Sequence, residues 1–263
     1  MTRDIRYVLM DPTGNRTILV EDSVPVQCQP VVAAQLMERE SSADQAGFLS
    51  SAEGCDISLR MAGGEFCGNA AMSAAAYRAV HTGVSAGRFT VKVSGASEPV
   101  SVQLERQTAG GWQGIVEMPR PCSVETVKFP GGQAYPVVAF QGISHVILEQ
   151  QQVPGDEAGR LAKEWCRYLQ ADALGLMFLD QEEGRLTPLV YVPAADTLFW
   201  ESACGSGTTA TGAWLSRKQG KPLALSLRQP GGVLQISASP DGPLFLKGSV
   251  TCLYEKTATV EFT

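Results

Sequence analysis

The chain has 263 residues, of which 44% are hydrophobic and 18% charged, the composition of a globular protein rather than of a disordered chain. Its formal net charge is -6 and its basic residues are scattered, which argues against a nucleic-acid-binding face. The N-terminus lacks the apolar core of a signal peptide, and no apolar run approaches the roughly 18 residues of a membrane helix. We therefore expect a cytoplasmic protein with one large domain or two smaller ones.

The first half of the chain alternates between strand-like and helical patterns. Two strands are expected on either side of a DPTGN turn, and a helix follows at residues 31–40. A second helix runs from Cys67 to Val80, because small and apolar residues dominate there without Gly or Pro after Gly68. The predicted strands of this half span residues 4–10, 16–21, 55–61, 88–95, 99–106 and 114–119.

The second half repeats this order of elements. A helix is predicted at residues 156–170, and a helix of small residues runs from Cys204 to Ser216. Strands close the chain from residue 224 onwards. The other predicted strands span residues 135–141, 145–150, 174–180 and 189–194. This mixture of elements is typical of an α+β fold.

Two pairs of similar segments indicate an internal duplication. GNRTILVE (14–21) resembles GISHVILE (142–149), and CGNAAMSAAAY (67–77) resembles CGSGTTATGAW (204–214). The segments occur in the same order in each half, and a Pro/Gly-rich stretch at residues 121–134 suggests the boundary. We therefore expect an N-terminal half, 1–125, that carries Cys67, and a C-terminal half, 126–263, that carries Cys204.

Cys67 and Cys204 stand out among the seven cysteines. The odd number and the lack of a CxxC pair argue against a disulfide scaffold or a Cys-rich zinc site, and we expect no bound metal. Each of these two cysteines opens the central helix of its half, where the helix dipole predicts a lowered thiol pKa. First-turn N–H groups can also bind a carboxylate. The residues predicted to donate them are Gly68, Asn69, Gly205 and Ser206.

Two thiols that point at one bound molecule could carry out a two-base proton transfer. A thiolate would remove a proton from one face of a carbon, and a thiol would supply a proton to the opposite face, which inverts the configuration. The helix ends would stabilise the negative charge that develops on the substrate. No lysine for a pyridoxal cofactor and no metal-ligand set is evident, so we expect no cofactor.

The motifs CGN and CGSG, about half a chain apart, resemble those of diaminopimelate epimerase and of the wider superfamily of cofactor-independent amino-acid racemases and epimerases. TGN at 13–15 and GISH at 142–145 are similar to two further motifs of that family. The resemblance covers most of the chain. It implies two pseudo-symmetric domains, each a rolled β-sheet wrapped around a central helix, with the active site between them. It also implies that Asn15 contacts the substrate.

The sequence departs from diaminopimelate epimerase where that family grips the distal carboxylate of its substrate. The family carries ERG shortly before the second cysteine, whereas residues 195–204 read ADTLFWESAC. With one deletion, Asp196 aligns with the Glu and Thr197 with the Arg. Ile143 and Ala173 replace two asparagines of the family. These changes argue against diaminopimelate as the substrate and favour an amino acid without a distal carboxylate, with histidine as the first choice.

Further residues are assigned to the site by the same comparison. Phe199 and Trp200 suggest a partly aromatic pocket for the substrate side chain. Asp196 and Gln45 are candidate substrate contacts. Supporting roles at the site are predicted for Glu65, His145 and Glu201.

Other functions stay open at this point. SADQAGFL (42–49) and LRMAGGEFCGNA (59–70) also resemble the phenazine-biosynthesis isomerase, whose catalytic Glu corresponds to Gln45 and whose second half lacks a cysteine. That isomerase is the alternative, together with diaminopimelate epimerase itself and a non-catalytic amino-acid binder. The expected partner is a small-molecule amino acid, without nucleic acid or membrane, and a homodimer is left open.

Overall fold

The computed structural model describes residues 2–151 and 153–262, and this part of the chain forms an α+β fold with four α-helices. It divides into two compact units. Unit 1 comprises Met1–Glu117 with Lys247–Thr263, and unit 2 comprises Met118–Leu246. Of the helices described, none is both long and apolar enough to cross a bilayer.

Unit 1 holds two helices among eight strands of the described chain. Its helices are α1 (Gln29–Arg39) and α2 (Gly68–Thr82). Its strands are β1 (Thr2–Asp11), β2 (Thr17–Val20), β3 (Gln45–Ser50), β4 (Ile57–Met61), β5 (Ala86–Val93), β6 (Val100–Arg106), β7 (Trp112–Met118) and most of β16 (Leu244–Glu261).

Unit 2 holds the remaining elements. Its helices are α3 (Gly155–Leu169) and α4 (Gly205–Gln219). Its strands are β8 (Ser123–Lys128), β9 (Ala134–Phe140), β10 (Ile143–Glu149), β11 (Leu174–Asp180), β12 (Arg185–Val192), β13 (Thr197–Trp200), β14 (Leu223–Gln229) and β15 (Gly232–Ala238).

The two units repeat one topology. In unit 1, β2 pairs in parallel with β3 across α1, and β4 pairs in parallel with β5 across α2. In unit 2, β10 pairs in parallel with β11 across α3, and β12 pairs in parallel with β14 across the segment that contains α4. Helices α2 and α4 have the same length, each begins after a cysteine, and each ends at a left-handed glycine, Gly83 or Gly220. This repetition confirms the predicted pseudo-symmetry.

The strands of unit 1 form a closed circuit, because β16 lies next to both β7 and β1. Helix α2 lies against β2, β4, β5 and β6, and its Ala, Ser and Met residues are buried. Small side chains let the strands approach this helix closely on several sides. The predicted rolled sheet around a central helix is therefore confirmed for this unit.

The sheet of unit 2 has two covered faces. On β10, Val146 and Leu148 pack with Trp165 of α3, while Ile147 between them packs with Trp214 of α4. Cys204 belongs to the α4 side of the sheet. Any residue of this sheet can thus be assigned to the α3 side or to the α4 side by its register.

Three strands were not predicted from the sequence: β3, β8 and β13. Strand β8 lies inside the segment 121–134 that was expected to be a boundary, and it pairs antiparallel with β9. The compact units also differ in their bounds from the predicted halves 1–125 and 126–263. The last strand returns to unit 1 because β16 pairs with β1. Buried Glu40 strengthens this pairing, since its carboxylate accepts hydrogen bonds from Tyr7, Tyr254 and Lys256.

Candidate active site

Cys67 is the N-cap residue of α2. Its backbone is extended, with φ -135° and ψ 113°, and its Sγ accepts a hydrogen bond from the N–H of Ala70 over 3.4 Å. The thiol therefore takes the role that Ser, Thr or Asp usually plays at a helix start. Gly68 and Asn69 occupy the positions between them and are buried. The thiol is held over the positive end of a buried helix.

Cys204 occupies the same position in α4. Its backbone is extended, with φ -101° and ψ 106°, and its Sγ accepts a hydrogen bond from the N–H of Gly207 over 3.3 Å. The hydroxyl of Ser206 lies 3.5 Å from the same sulfur. Gly205 and Ser206 are the first two residues of the helix. The prediction that each cysteine opens its central helix is confirmed.

The segment before each cysteine is held by a hydrogen bond from the turn that follows β5 or β14, from a hydroxyl in unit 1 and from a backbone N–H in unit 2. In unit 1, the hydroxyl of Ser94 donates to the carbonyl of Glu65, two residues before Cys67. In unit 2, the N–H of Gly231 donates over 2.7 Å to the carbonyl of Ser202, two residues before Cys204. Ser94 and Gly231 lie the same number of residues after their cysteines. The duplication therefore extends to the support of both thiols.

Further polar contacts fix Cys204. Its N–H donates over 2.8 Å to the side-chain oxygen of Gln229, and the amide nitrogen of Gln229 donates over 2.7 Å to the hydroxyl of Thr208. That hydroxyl in turn donates to the carbonyl of Cys204. All three residues are buried, so this closed ring leaves the backbone of Cys204 little freedom.

The environment raises the pKa of the Cys204 thiol well above its ordinary value. Burial is the largest cause, followed by the negative charge of Glu201 and a hydrogen bond with its carboxylate; the contacts with Ser206 and the Gly207 N–H act in the opposite direction. The lowered pKa predicted from the helix dipole is wrong for Cys204, because burial and a neighbouring carboxylate outweigh the dipole. Cys204 is consequently a protonated thiol at neutral pH, and Glu201 lies beside it.

Asn15 and Gln45 are brought together through Thr17. The Thr17 hydroxyl donates over 3.0 Å to the carbonyl of Asn15, and the Gln45 amide donates over 2.8 Å to the same hydroxyl. Asn15 follows the β1 turn and is buried, while Gln45 begins β3 next to Thr17 in parallel register. These two predicted substrate contacts thus form one local group in unit 1.

Asp196 lies on the α3 side of the sheet in unit 2. Its exposed carboxylate accepts hydrogen bonds from Lys163 of α3 over 2.7 Å and from Tyr191 of β12 over 3.2 Å. Tyr191 packs with the α3 cluster, whereas Cys204 belongs to the α4 cluster. These contacts do not bring Asp196 together with Cys204, and they give it a place in a surface ion pair.

The two predicted aromatic residues of β13 face opposite sides. Phe199 is directly opposite Val190 of the α4 cluster, so it points to the side of Cys204, and it is 53% exposed. Trp200 is opposite Leu189 of the α3 cluster, and its ring lies 5.7 Å from that of Phe178. Of these two residues, only Phe199 has its side chain on the Cys204 side of the sheet.

His145 is completely buried on β10, on the same face as Ile147 of the α4 cluster. Within the described residues its two ring nitrogens have no hydrogen-bond partner, and burial lowers its pKa to about 3. A side chain at Gly175, its neighbour on β11, would overlap the His145 ring. Gly175 therefore lies against both the neutral imidazole and Met177, and Met177 also lies against Gly207.

Several supporting residues were missed in the sequence, namely Ser94, Gly95, Gln229 and Gly231. Gly95 has a φ of +73°, and a Cβ there would overlap the backbone nitrogen of Phe66, directly before Cys67. Glycine is thus required both for the turn and for the close approach of this segment. An alignment of the two halves continued beyond the helices would have found Ser94 and Gly231.

We expect Gly95→Ala to destabilise the protein much more than Gly83→Ala does. Both glycines have positive φ, +73° and +68°, but only Gly95 faces backbone atoms, while nothing lies within 4 Å of a Cβ at Gly83. The control should lose about 1 kcal/mol from left-handed strain, and Gly95→Ala several times that amount. Urea unfolding measures both, and equal losses would contradict the proposed close approach.

We expect His145 to make the protein less stable in mild acid. Its folded pKa of about 3 lies below the unfolded value of about 6.5, so the unfolded state binds more protons as the pH falls between these values. The free energy of unfolding should fall by up to about 1.4 kcal/mol per pH unit in this window. His145→Gln removes this contribution. The free energies of unfolding of the two proteins should therefore diverge as the pH falls. The prediction is contradicted if they change in parallel from pH 7 to pH 4.

Comparison with known proteins agrees with this architecture. Residues 4–251 match the family described as histidine racemase CntK N-terminal domain. The chain is 28% identical over 274 residues to a histidine racemase from Staphylococcus aureus, with 98% of each chain covered. It is also 28% identical over 257 residues to a diaminopimelate epimerase from Methanopyrus kandleri, with 91% of this chain and 81% of the relative covered.

A solved structure shows the same fold. The structure of a predicted epimerase from Pseudomonas aeruginosa superposes with a TM-score of 0.72 at 18% identity, and the match covers 96% of this chain and 98% of that one. The family match spans most of the chain and confirms the resemblance to the racemase and epimerase superfamily. The chain therefore belongs to the histidine racemase family, and it is an isomerase of the cofactor-independent amino-acid racemase class.

Proposed function

We propose that Cys67 and Cys204 are the acid/base pair that racemises a free amino acid, with histidine as the substrate. The observation that carries the proposal is the matched geometry of the two thiols. Each caps the central helix of its unit, each Sγ accepts an N–H from the first turn, and each preceding segment is held through the carbonyl two residues earlier. Such agreement between two halves is expected when both thiols perform equivalent steps on one molecule.

The proton balance of the reaction assigns one role to each cysteine. The Cys67 thiolate takes the α-proton and becomes a thiol, while the C–H electron pair stays on the substrate as a carbanion. The Cys204 thiol then gives its proton to the opposite face of the same carbon and becomes a thiolate. The amino acid leaves with inverted configuration, and proton exchange with solvent or a turnover in the reverse direction restores the starting state.

Cys204 suits the role of proton donor, because burial and Glu201 raise its pKa and so keep its thiol protonated. We propose that Glu201 supports the exchange of the Cys204 proton between turnovers, since it carries the carboxylate bonded to that thiol. For the α-carboxylate of the substrate we propose the first-turn N–H groups at the helix starts, which concentrate positive charge there. The donors proposed are Gly68, Asn69, Gly205 and Ser206.

Histidine is favoured as the substrate by the residues at the second cysteine and by the name of the S. aureus relative. Residues 195–204 contain no arginine that could bind a distal carboxylate, which argues against diaminopimelate. Phe199 is half exposed on the Cys204 side of the sheet. We propose that its ring packs against the imidazole of the substrate.

The other candidate residues are proposed to contact the substrate, to support one of the cysteines, or to take no part in the reaction. Asn15 and Gln45 contact the substrate from unit 1, where Thr17 holds them together. His145 supports the Cys204 side as a neutral ring, and Glu65 supports Cys67 through its backbone carbonyl. Asp196 is given no part, because its carboxylate is bonded on the α3 side. The reaction needs reduced thiols, so we place the protein in the reducing cytoplasm.

The phenazine-type isomerase is less well supported as an alternative. Its reaction would need a carboxylate base where this chain has Gln45, and the amide of Gln45 donates to Thr17. A non-catalytic binder would not need the ring of hydrogen bonds around Cys204 or the hydrogen bond between Cys204 and Glu201. Both alternatives predict that histidine is not racemised.

Racemisation of L-histidine by Cys67→Ser and Cys204→Ser variants tests the proposal. We expect the wild-type protein to convert L-histidine to the racemate, as measured by the decay of circular dichroism or by chiral chromatography. Each variant should lose at least ~100-fold in rate, because a hydroxyl is a poor acid/base group at neutral pH. Serine can still cap the helix, so the thermal unfolding midpoint should change little.

Cys122→Ser is the matched control, since this cysteine is exposed and lies outside the site. It should racemise histidine at the wild-type rate. A serine variant at position 67 or 204 that keeps the wild-type rate would contradict the thiol mechanism. Wild-type protein that racemises diaminopimelate but not histidine would contradict the assigned substrate.

A further inference from the structure

Two glutamates and a histidine meet at the end of α2 that lies away from Cys67. One imidazole nitrogen of His81 and one carboxylate oxygen each of Glu21 and Glu255 all lie within 4.8 Å of one another. The three residues come from different elements: Glu21 follows β2, His81 belongs to the last turn of α2, and Glu255 belongs to β16. We infer that Glu21, His81 and Glu255 form a binding site for a divalent transition-metal ion of the Zn²⁺ type.

The imidazole of His81 is oriented for this role. Its Nδ1 lies 2.9 Å from the carbonyl oxygen of Tyr77, one helical turn earlier, and its ring packs against the Tyr77 ring with centroids 4.0 Å apart and planes tilted by 35°. When Nδ1–H donates to this carbonyl, Nε2 keeps its lone pair for a metal. Metal-bound histidines almost always donate their second nitrogen to a carbonyl or carboxylate in this way.

The first carboxylate of the site is positioned by a neighbouring hydroxyl. The side chain of Tyr77 forms a hydrogen bond with Glu21. A carboxylate that is itself hydrogen-bonded is the usual arrangement around a metal ligand. Tyr77 therefore orients both His81 and Glu21.

The nearby basic side chains bond mainly with other carboxylates. Arg6 approaches Glu21 only at 3.8 Å, because its guanidinium and backbone bond with Asp22 at distances down to 2.6 Å. Lys256 follows Glu255 in the strand, but its ammonium bonds with Glu40 at 2.7 Å. The carboxylates of Glu21 and Glu255 thus carry negative charge that a divalent cation would compensate.

The ligand types select the class of ion. One imidazole nitrogen with two carboxylate oxygens suits Zn²⁺ or Co²⁺, whereas Mg²⁺ and Ca²⁺ prefer oxygen ligands alone. His81 and Glu255 are exposed, so small side-chain rotations can shorten the separations to the spacing of a coordinated ion. Water would occupy the other positions of the ion. Since α2 has 15 residues, this site lies roughly 20 Å from Cys67 along the helix.

Titration of the full-length protein with CoCl₂ tests this site, by calorimetry and by the visible absorption of bound Co²⁺. We expect one equivalent to bind without a thiolate charge-transfer band, and MgCl₂ to give no binding heat. His81→Ala and Glu255→Gln should each weaken Co²⁺ binding at least ~10-fold. Removal of a residue that coordinates the ion should weaken binding more than removal of a residue that only hydrogen-bonds to such a ligand. Glu98→Gln, an exposed glutamate outside the cluster, is the control and should bind as the wild type does.

Two results would overturn the inference. One is wild-type protein that binds no Co²⁺ up to about 1 mM, since exposed sites with three protein ligands should be occupied well below this concentration. The other is a His81→Ala isotherm that equals the wild-type isotherm, with or without a thiolate band, which would place the ion elsewhere. Circular dichroism confirms that the variants are folded, and Glu255→Gln gives an independent answer if His81→Ala is unstable.

Discussion

The N-cap hydrogen bond of a cysteine thiol is the interaction on which this structure depends. In each unit a sulfur replaces the usual oxygen at the start of a buried helix and accepts one of the N–H groups that the helix cannot satisfy itself. A sulfur acceptor is weaker than an oxygen, so the position is poor for helix stability alone. In the proposed mechanism this position fixes a reactive group next to the positive helix end, whose N–H groups are the proposed donors to the substrate carboxylate.

Burial makes the two caps chemically different although their geometry agrees. Cys204 is almost fully buried and bonded to Glu201, which holds it as a thiol, whereas Cys67 is only partly buried. A racemase needs one base and one acid in each direction. The proposed roles of Cys204 as the proton donor and of Glu201 in the exchange of its proton rest on this difference in burial.

Much of the fold and the centre of the site could be predicted from the sequence. The paired motifs at Cys67 and Cys204 located both central helices, because a cysteine and a glycine followed by a run of small residues rarely occur twice in one chain by chance. Strand β3 was not predicted because a close-packed glycine, Gly47, interrupts its pattern, and β13 was not predicted because it has only 4 residues. The surroundings of Asp196 could not be predicted for another reason: an alignment that needs a deletion says nothing about which face of a sheet a side chain occupies.

The fate of the α-hydrogen tests the two-thiol account most directly. L-Histidine is incubated with the reduced protein in deuterated water, and both enantiomers are separated at low conversion and analysed by mass spectrometry. The account predicts deuterium at the α-carbon of the D-histidine formed and almost none in the remaining L-histidine, because separate thiols remove and supply the hydrogen. D-Histidine that retains its α-protium, or L-histidine that gains deuterium as fast as D-histidine appears, would contradict it.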